Sequence, residues 1–79
     1  MRTVINAAHI GEGLKFLRGK DRLEDAKKKI GRSVAHISSM EKMKKPPSLI
    51  ALYKYAMEYG PFTITFDGNG VPDFPGLLE

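Results

Sequence analysis

The sequence predicts a mainly α fold of four or five short helices, with a short strand before them and a strand or hairpin after them. Three observations predict it. Apolar residues recur at three- and four-residue spacing in successive segments. A capping residue opens these segments (Asn6, Asp21, Ser33, Ser48), and glycine or proline closes them. From Phe62 the apolar period changes to two, the period of a strand. A chain of 79 residues holds one domain at most. The expectation is one domain over 1–79, with a helical core at about 7–60 and a strand or hairpin with a tail at 61–79.

Residues 3–5, Thr3-Val4-Ile5, lean to a strand. Asn6 then caps a first helix ending near Arg18-Gly19, with Ala7, Ile10, Leu14 and Leu17 at helical spacing. Gly11 and Gly13 each weaken that helix by about 1 kcal/mol relative to alanine. Glycines kept there point to close contact with another backbone. Asp21 is placed to cap a second helix over 22–30, with Leu23, Ala26 and Ile30 as its inner stripe. Gly31 ends it. Ser33 caps a third helix over 34–42, with Ile37 and Met40 inward. Pro46-Pro47 excludes helix from the following loop. Ser48 opens a fourth helix whose Leu49, Leu52, Tyr53, Ala56 and Met57 follow the pattern of an amphipathic face. Gly60-Pro61 stops it. Phe62, Ile64 and Phe66 then alternate with Thr63 and Thr65, Asp67-Gly68-Asn69-Gly70 reads as a turn, and residues 71–74 as a returning edge strand.

Charge is unevenly placed. The net charge is +4, but residues 15–45 hold eleven Lys/Arg against four acids, a local balance of +7. After Lys54 there is no basic residue. A basic middle with an acidic tail suits a surface that meets polyanions on one side, and equally a solvated lysine-rich face. The absence of cysteine removes disulfides, thiolate zinc sites and cysteine nucleophiles, and fits a reducing cytoplasm. No apolar run approaches the roughly 18 residues of a membrane span, so no membrane partner is expected. His9 and Glu12 are too few for a metal site, and His9 and His36 stand in no Ser-His-Asp arrangement. The expectation is a protein that is not an enzyme and uses no cofactor or metal.

Two short helices joined at Gly31, the second opening at Ser33, make a helix-turn-helix. The sharp turn needs a small residue, and an apolar residue a few positions on locks the second helix across the first. Gly31 and Ile37 meet these needs. The chain from about Leu14 to Gly60 resembles the phage repressor and Cro family of helix-turn-helix proteins. Its best-matched parts are Ile30-Gly31-Arg32-Ser33, Ile37-Ser38-Ser39-Met40-Glu41 and the Pro47-Ser48-Leu49 opening of the fourth helix. It departs from the family at Lys27, four positions before Gly31, where a small residue is usual. Ala26 stands beside it.

The resemblance implies that the third helix enters the DNA major groove. The base-reading positions it implies are Val34, Ala35 and Ser39, with Ser33, His36 and Ser38 nearby. Val34 and Ala35 suit thymine methyls, and a serine hydroxyl suits either kind of base. Lys44 and Lys45 take the place of the family's backbone-contacting residues. Lys20, Arg22, Lys28 and Lys42 are further phosphate candidates, and Arg32 or Arg22 is expected to supply hydrogen bonds to guanine or phosphate. Glu41 is expected to pair with Arg18. Cro-like proteins can pair through terminal strands, which makes Phe62, Ile64 and Phe66 the expected dimer interface. The small disulfide-free core and an open strand edge argue for a dimer as well.

The expected function is thus a sequence-specific, double-stranded-DNA-binding transcriptional regulator: a small dimeric repressor of a phage, plasmid or other mobile element. It would act on a palindromic operator in the cytoplasm, at a prokaryotic nucleoid. Two alternatives stay open. One is an antitoxin or protein-binding adaptor on the same scaffold, its C-terminal tail gripping a protein partner. The other is non-specific RNA binding through the basic patch.

Overall fold

Asn6 turns the chain from strand to helix. Its side-chain oxygen accepts a hydrogen bond from the Ala8 amide at 2.8 Å, at the end of strand β1 (Thr3–Asn6) and the start of a 3-10 turn (Ala7–His9). This is a computed structural model, and it describes residues 3–66. After the turn come α1 (Ile10–Arg18), α2 (Leu23–Ile30), α3 (Val34–Glu41), α4 (Leu49–Tyr59) and strand β2 (Phe62–Thr65). The element order is the predicted one. The predicted turn at 67–70, the returning strand at 71–74 and the tail lie outside the described residues.

The core has one apolar centre. Leu14 of α1, Ala26 and Ile30 of α2, Ile37 and Met40 of α3, and Ala51 and Tyr55 of α4 meet there, with Ile5 and Ile10 closing one side. Leu17, Leu23, Leu52, Tyr59, Phe62 and Ile64 pack around it half-buried. The inward stripes predicted for the first three helices therefore hold. In α2 the small residue at the centre is Ala26, fully buried, while Lys27 is exposed.

Gly11 and Gly13 have an explanation that only the packing supplies. A Cβ at Gly11 would lie 2.5 Å from the Glu41 carbonyl oxygen and 2.9 Å from that of Met40. The first turn of α1 thus rests directly on the last turn of α3. A Cβ at Gly13 would meet the Ile5 side chain, also at 2.5 Å.

Two expectations are corrected. The face of α4 that the apolar pattern picks out is not the buried one: Ala51 and Tyr55 are buried, Leu52 and Ala56 are half-buried, and Leu49, Tyr53 and Met57 are exposed. This helix is apolar on both sides, so period alone leaves its rotation open. Tyr55 goes inward because its hydroxyl finds a partner there, Glu41 Oε2 at 3.2 Å. Second, Asp21 does not cap α2. The N-cap position is Arg22, whose amide donates to Asp25 Oδ2 at 3.0 Å, while the Asp21 carboxylate holds Lys29 and Tyr59 instead. The sequence left strand pairing open, and β2 pairs with β1 in parallel, Ile5 opposite Ile64 and Thr3 opposite Phe62. The four intervening helices provide the crossover that a parallel pair requires.

Candidate nucleic-acid interface

Helix α3 is set by its two ends and its inner face. Gly31 leaves α2 in the left-handed conformation (φ 77°), where L side chains are disfavoured, and its amide bonds the Lys27 carbonyl. Ser33 caps α3, its Oγ accepting from the His36 amide at 3.1 Å. Ile37, Met40 and Glu41 are buried. Opposite them on the helix lie Ala35, exposed, and Ser39, half-buried, one turn apart. His36 and Ser38 flank this pair, and with Val34 they are half-buried.

All six residues predicted to read bases therefore reach the surface around one short helix. Their roles differ. Ser33 is first a cap, since its oxygen is already an acceptor, although its hydroxyl proton remains free to donate. Val34 and Ala35 offer only methyl groups. Ser39, Ser38 and His36 are the polar side chains of the face.

Basic residues flank the helix along the chain, Arg32 before it and Lys42, Lys44 and Lys45 after it. Lys20, Arg22, Lys28, Arg32, Lys42, Lys44 and Lys45 are all exposed. Among the described residues the ion pairs are Arg18–Glu41 and Lys29–Asp21, and neither uses any of these seven cations. The loop carrying Lys44 and Lys45 is tied to α3. The amides of Lys44 and Lys45 both donate to the Ser39 carbonyl, at 2.8 and 3.3 Å. Met43 makes this fold-back possible by adopting φ 64°, and its Sδ accepts from the Gly11 amide at 3.1 Å. The outward face of α3 and the two lysines are in this way one unit.

Helix α3 is braced from behind. Glu41 receives Arg18 in two hydrogen bonds and the Tyr55 hydroxyl in a third. The Glu41 carboxylate raises the Arg18 pKa above its ordinary value by hydrogen bonding, against a smaller opposing effect of burial. At Tyr55, by contrast, burial is the main cause of a raised pKa, with the Glu41 charge and hydrogen bond adding to it. In the loop before α2, Asp21 accepts from Lys29 of α2 at 2.7 Å and from the Tyr59 hydroxyl of α4 at 3.0 Å, and Lys29 lies 5.1 Å from the Tyr59 ring centre. No sequence pattern marks this second cluster, because its members are 8 and 38 residues apart.

The three aromatic or aliphatic residues expected at a dimer interface are divided. Phe62 and Ile64 are half-buried against the chain's own core, and Phe66, one residue past β2, is exposed. No described helix is long and apolar enough to cross a membrane. Comparison with family models, with curated proteins and with solved structures finds no match to this chain.

Proposed function

We propose that this chain is a sequence-specific, double-stranded-DNA-binding transcriptional regulator, a small Cro-like repressor that acts as a homodimer on a palindromic operator. One observation carries the reading. Ile37, Met40 and Glu41 hold α3 on the core while Ala35 and Ser39 face outward, with exposed Arg32 at one end of the helix and Lys44 and Lys45 at the other.

An α-helix fits the major groove of B-form DNA, which is roughly 12 Å wide. Ala35 and Val34 would contact thymine methyls, and Ser39 would hydrogen-bond a base edge. Arg32, Lys44 and Lys45 would lie along phosphates on either side, fixing register and giving most of the affinity through counterion release. Repression would follow from occupancy alone. The experiment is selection of bound duplexes from a random pool, followed by salt titration of the selected and a scrambled duplex. A palindromic consensus bound at least about 1,000-fold more tightly than the scrambled duplex supports the reading. No consensus, or equal binding of both duplexes, overturns it.

A further inference from the structure

We infer that the outer face of α4 is the surface through which two copies of this chain associate. Leu49, Ile50, Tyr53 and Met57 are 82%, 62%, 67% and 68% exposed. Ile50, Tyr53 and Met57 are spaced three and four apart, so they form one stripe along the helix. They line a groove of about 290 Å³ rimmed by Lys29, Lys54 and Glu58. Singly exposed apolar residues are ordinary, but a contiguous stripe of large ones on so small a chain marks an interaction surface.

The charges around the groove say which partner fits. Lys29 is already paired with Asp21 at 2.7 Å, and Lys54 and Glu58 bear opposite signs. The rim is close to neutral, unlike the basic margins of α3. A polyanion gains little there, whereas a second copy meets an apolar stripe with balanced flanks. The size of the stripe is also sufficient. Exposed Leu49 stands beside the stripe, one turn before Tyr53, and with it four side chains present on the order of 130 Å² each, so two copies would bury about 1,000 Å² together, the lower bound for a specific interface. With the two-fold axis near Tyr53, antiparallel α4 helices place Ile50 of one copy against Met57 of the other and oppose their dipoles. Strand β2 is the poorer surface, since Phe62 and Ile64 serve the chain's own core. The inference concerns self-association alone, and it stands whether or not the chain binds DNA.

Sedimentation equilibrium of the full chain without DNA, at tens of micromolar, tests it. The parent is expected at twice its chain mass of 8.8 kDa. Met57→Lys and Tyr53→Glu are expected at the single mass, with unchanged circular dichroism because both positions are exposed. Since the chain has no cysteine, Tyr53→Cys gives a clean second measurement: mild oxidation should link most of it into a covalent dimer. Glu24→Cys, on the exposed side of α2, should stay unlinked. A parent that remains monomeric at hundreds of micromolar overturns the inference. So does a dimer that persists in both α4 variants, or equal linking of the two cysteine variants.

Discussion

Arg18 and Glu41 meet side-on through two hydrogen bonds, Nε to Oε2 and Nη2 to Oε1, both 2.8 Å long. The pair joins the end of α1 to the end of α3, with side-chain exposures of only 13% and 5%. Glu41 also accepts from the buried Tyr55 hydroxyl, so one carboxylate links three helices. Breaking a buried pair strands the remaining charge, and Arg18→Ala should lower stability by about 3 kcal/mol. Arg18→Lys should recover only part, because lysine lacks the planar fork. The paired change Arg18→Met with Glu41→Leu should be milder than Arg18→Ala alone, as it leaves no unpaired charge. Urea unfolding of the four proteins checks this. Equal losses for Arg18→Ala and the double variant would show that the charge is not what matters there.

The contact between Gly11 and the Glu41 carbonyl makes a second prediction. Gly11→Ala gains about 1 kcal/mol of helix propensity, yet the new methyl must push two helix backbones apart. Overpacking of this kind typically costs about 1–3 kcal/mol, and here the nearest atoms are all backbone rather than the end of a flexible side chain. Gly11→Ala should therefore be net destabilising. Gly13→Ala meets a side chain instead of backbone and should cost less. Thermal melts of the two variants should rank Gly13→Ala above Gly11→Ala, and the reverse order would contradict this packing.

Alkaline pH should weaken the fold through the cluster of Asp21, Lys29 and Tyr59. Burial, and then the bond to Asp21, raises the Tyr59 pKa from 10.0 to about 12. The Asp21 carboxylate likewise raises Lys29 above 10.5. Both groups hold their protons more tightly when folded. Their contribution is complete below pH 10 and is lost as pH climbs through the raised values. On the acid side, Lys29 and Tyr59 lower the Asp21 pKa below 3.8, so its contribution disappears as pH falls past that point. Tyr59→Phe should melt lower at pH 8 but lose less between pH 10 and 12. Melting curves across that range decide it, and a decline as steep as the parent's would exclude Tyr59 as a cause.

Substitutions on the outward face of α3 should separate DNA binding from folding. In the proposed complex, Ala35→Asp would place a carboxylate near phosphates and should abolish specific binding without changing the melting temperature. Ser39→Ala should cost roughly 1–3 kcal/mol and relax preference at one base position. Lys44→Ala should weaken selected and scrambled duplexes alike and reduce the salt slope by about one unit. Parent-like binding by both Ala35→Asp and Ser39→Ala would remove α3 from the interface.

The sequence by itself determined the order of the helices and most of their ends, although α1 begins three residues after Ala7 and Asp21 does not cap α2. Those are local properties: Ser33 and Ser48 cap the residues that follow them, Gly31 supplies a left-handed turn, and Pro46-Pro47 excludes helix wherever it stands. It also determined the inner stripes of α1, α2 and α3, because each has a single apolar face. Tertiary structure alone decided the rotation of α4. Both of its faces are apolar, and the choice fell to a hydroxyl-carboxylate contact between residues 14 apart. The parallel pairing of β1 with β2 was decided the same way, since strand period carries no information about direction or partner. So was the need for Gly11, which arises from the backbone of residues 40 and 41 on another helix. Caps and periods act within one turn of chain, whereas packing joins residues whose separation in sequence leaves no pattern to read.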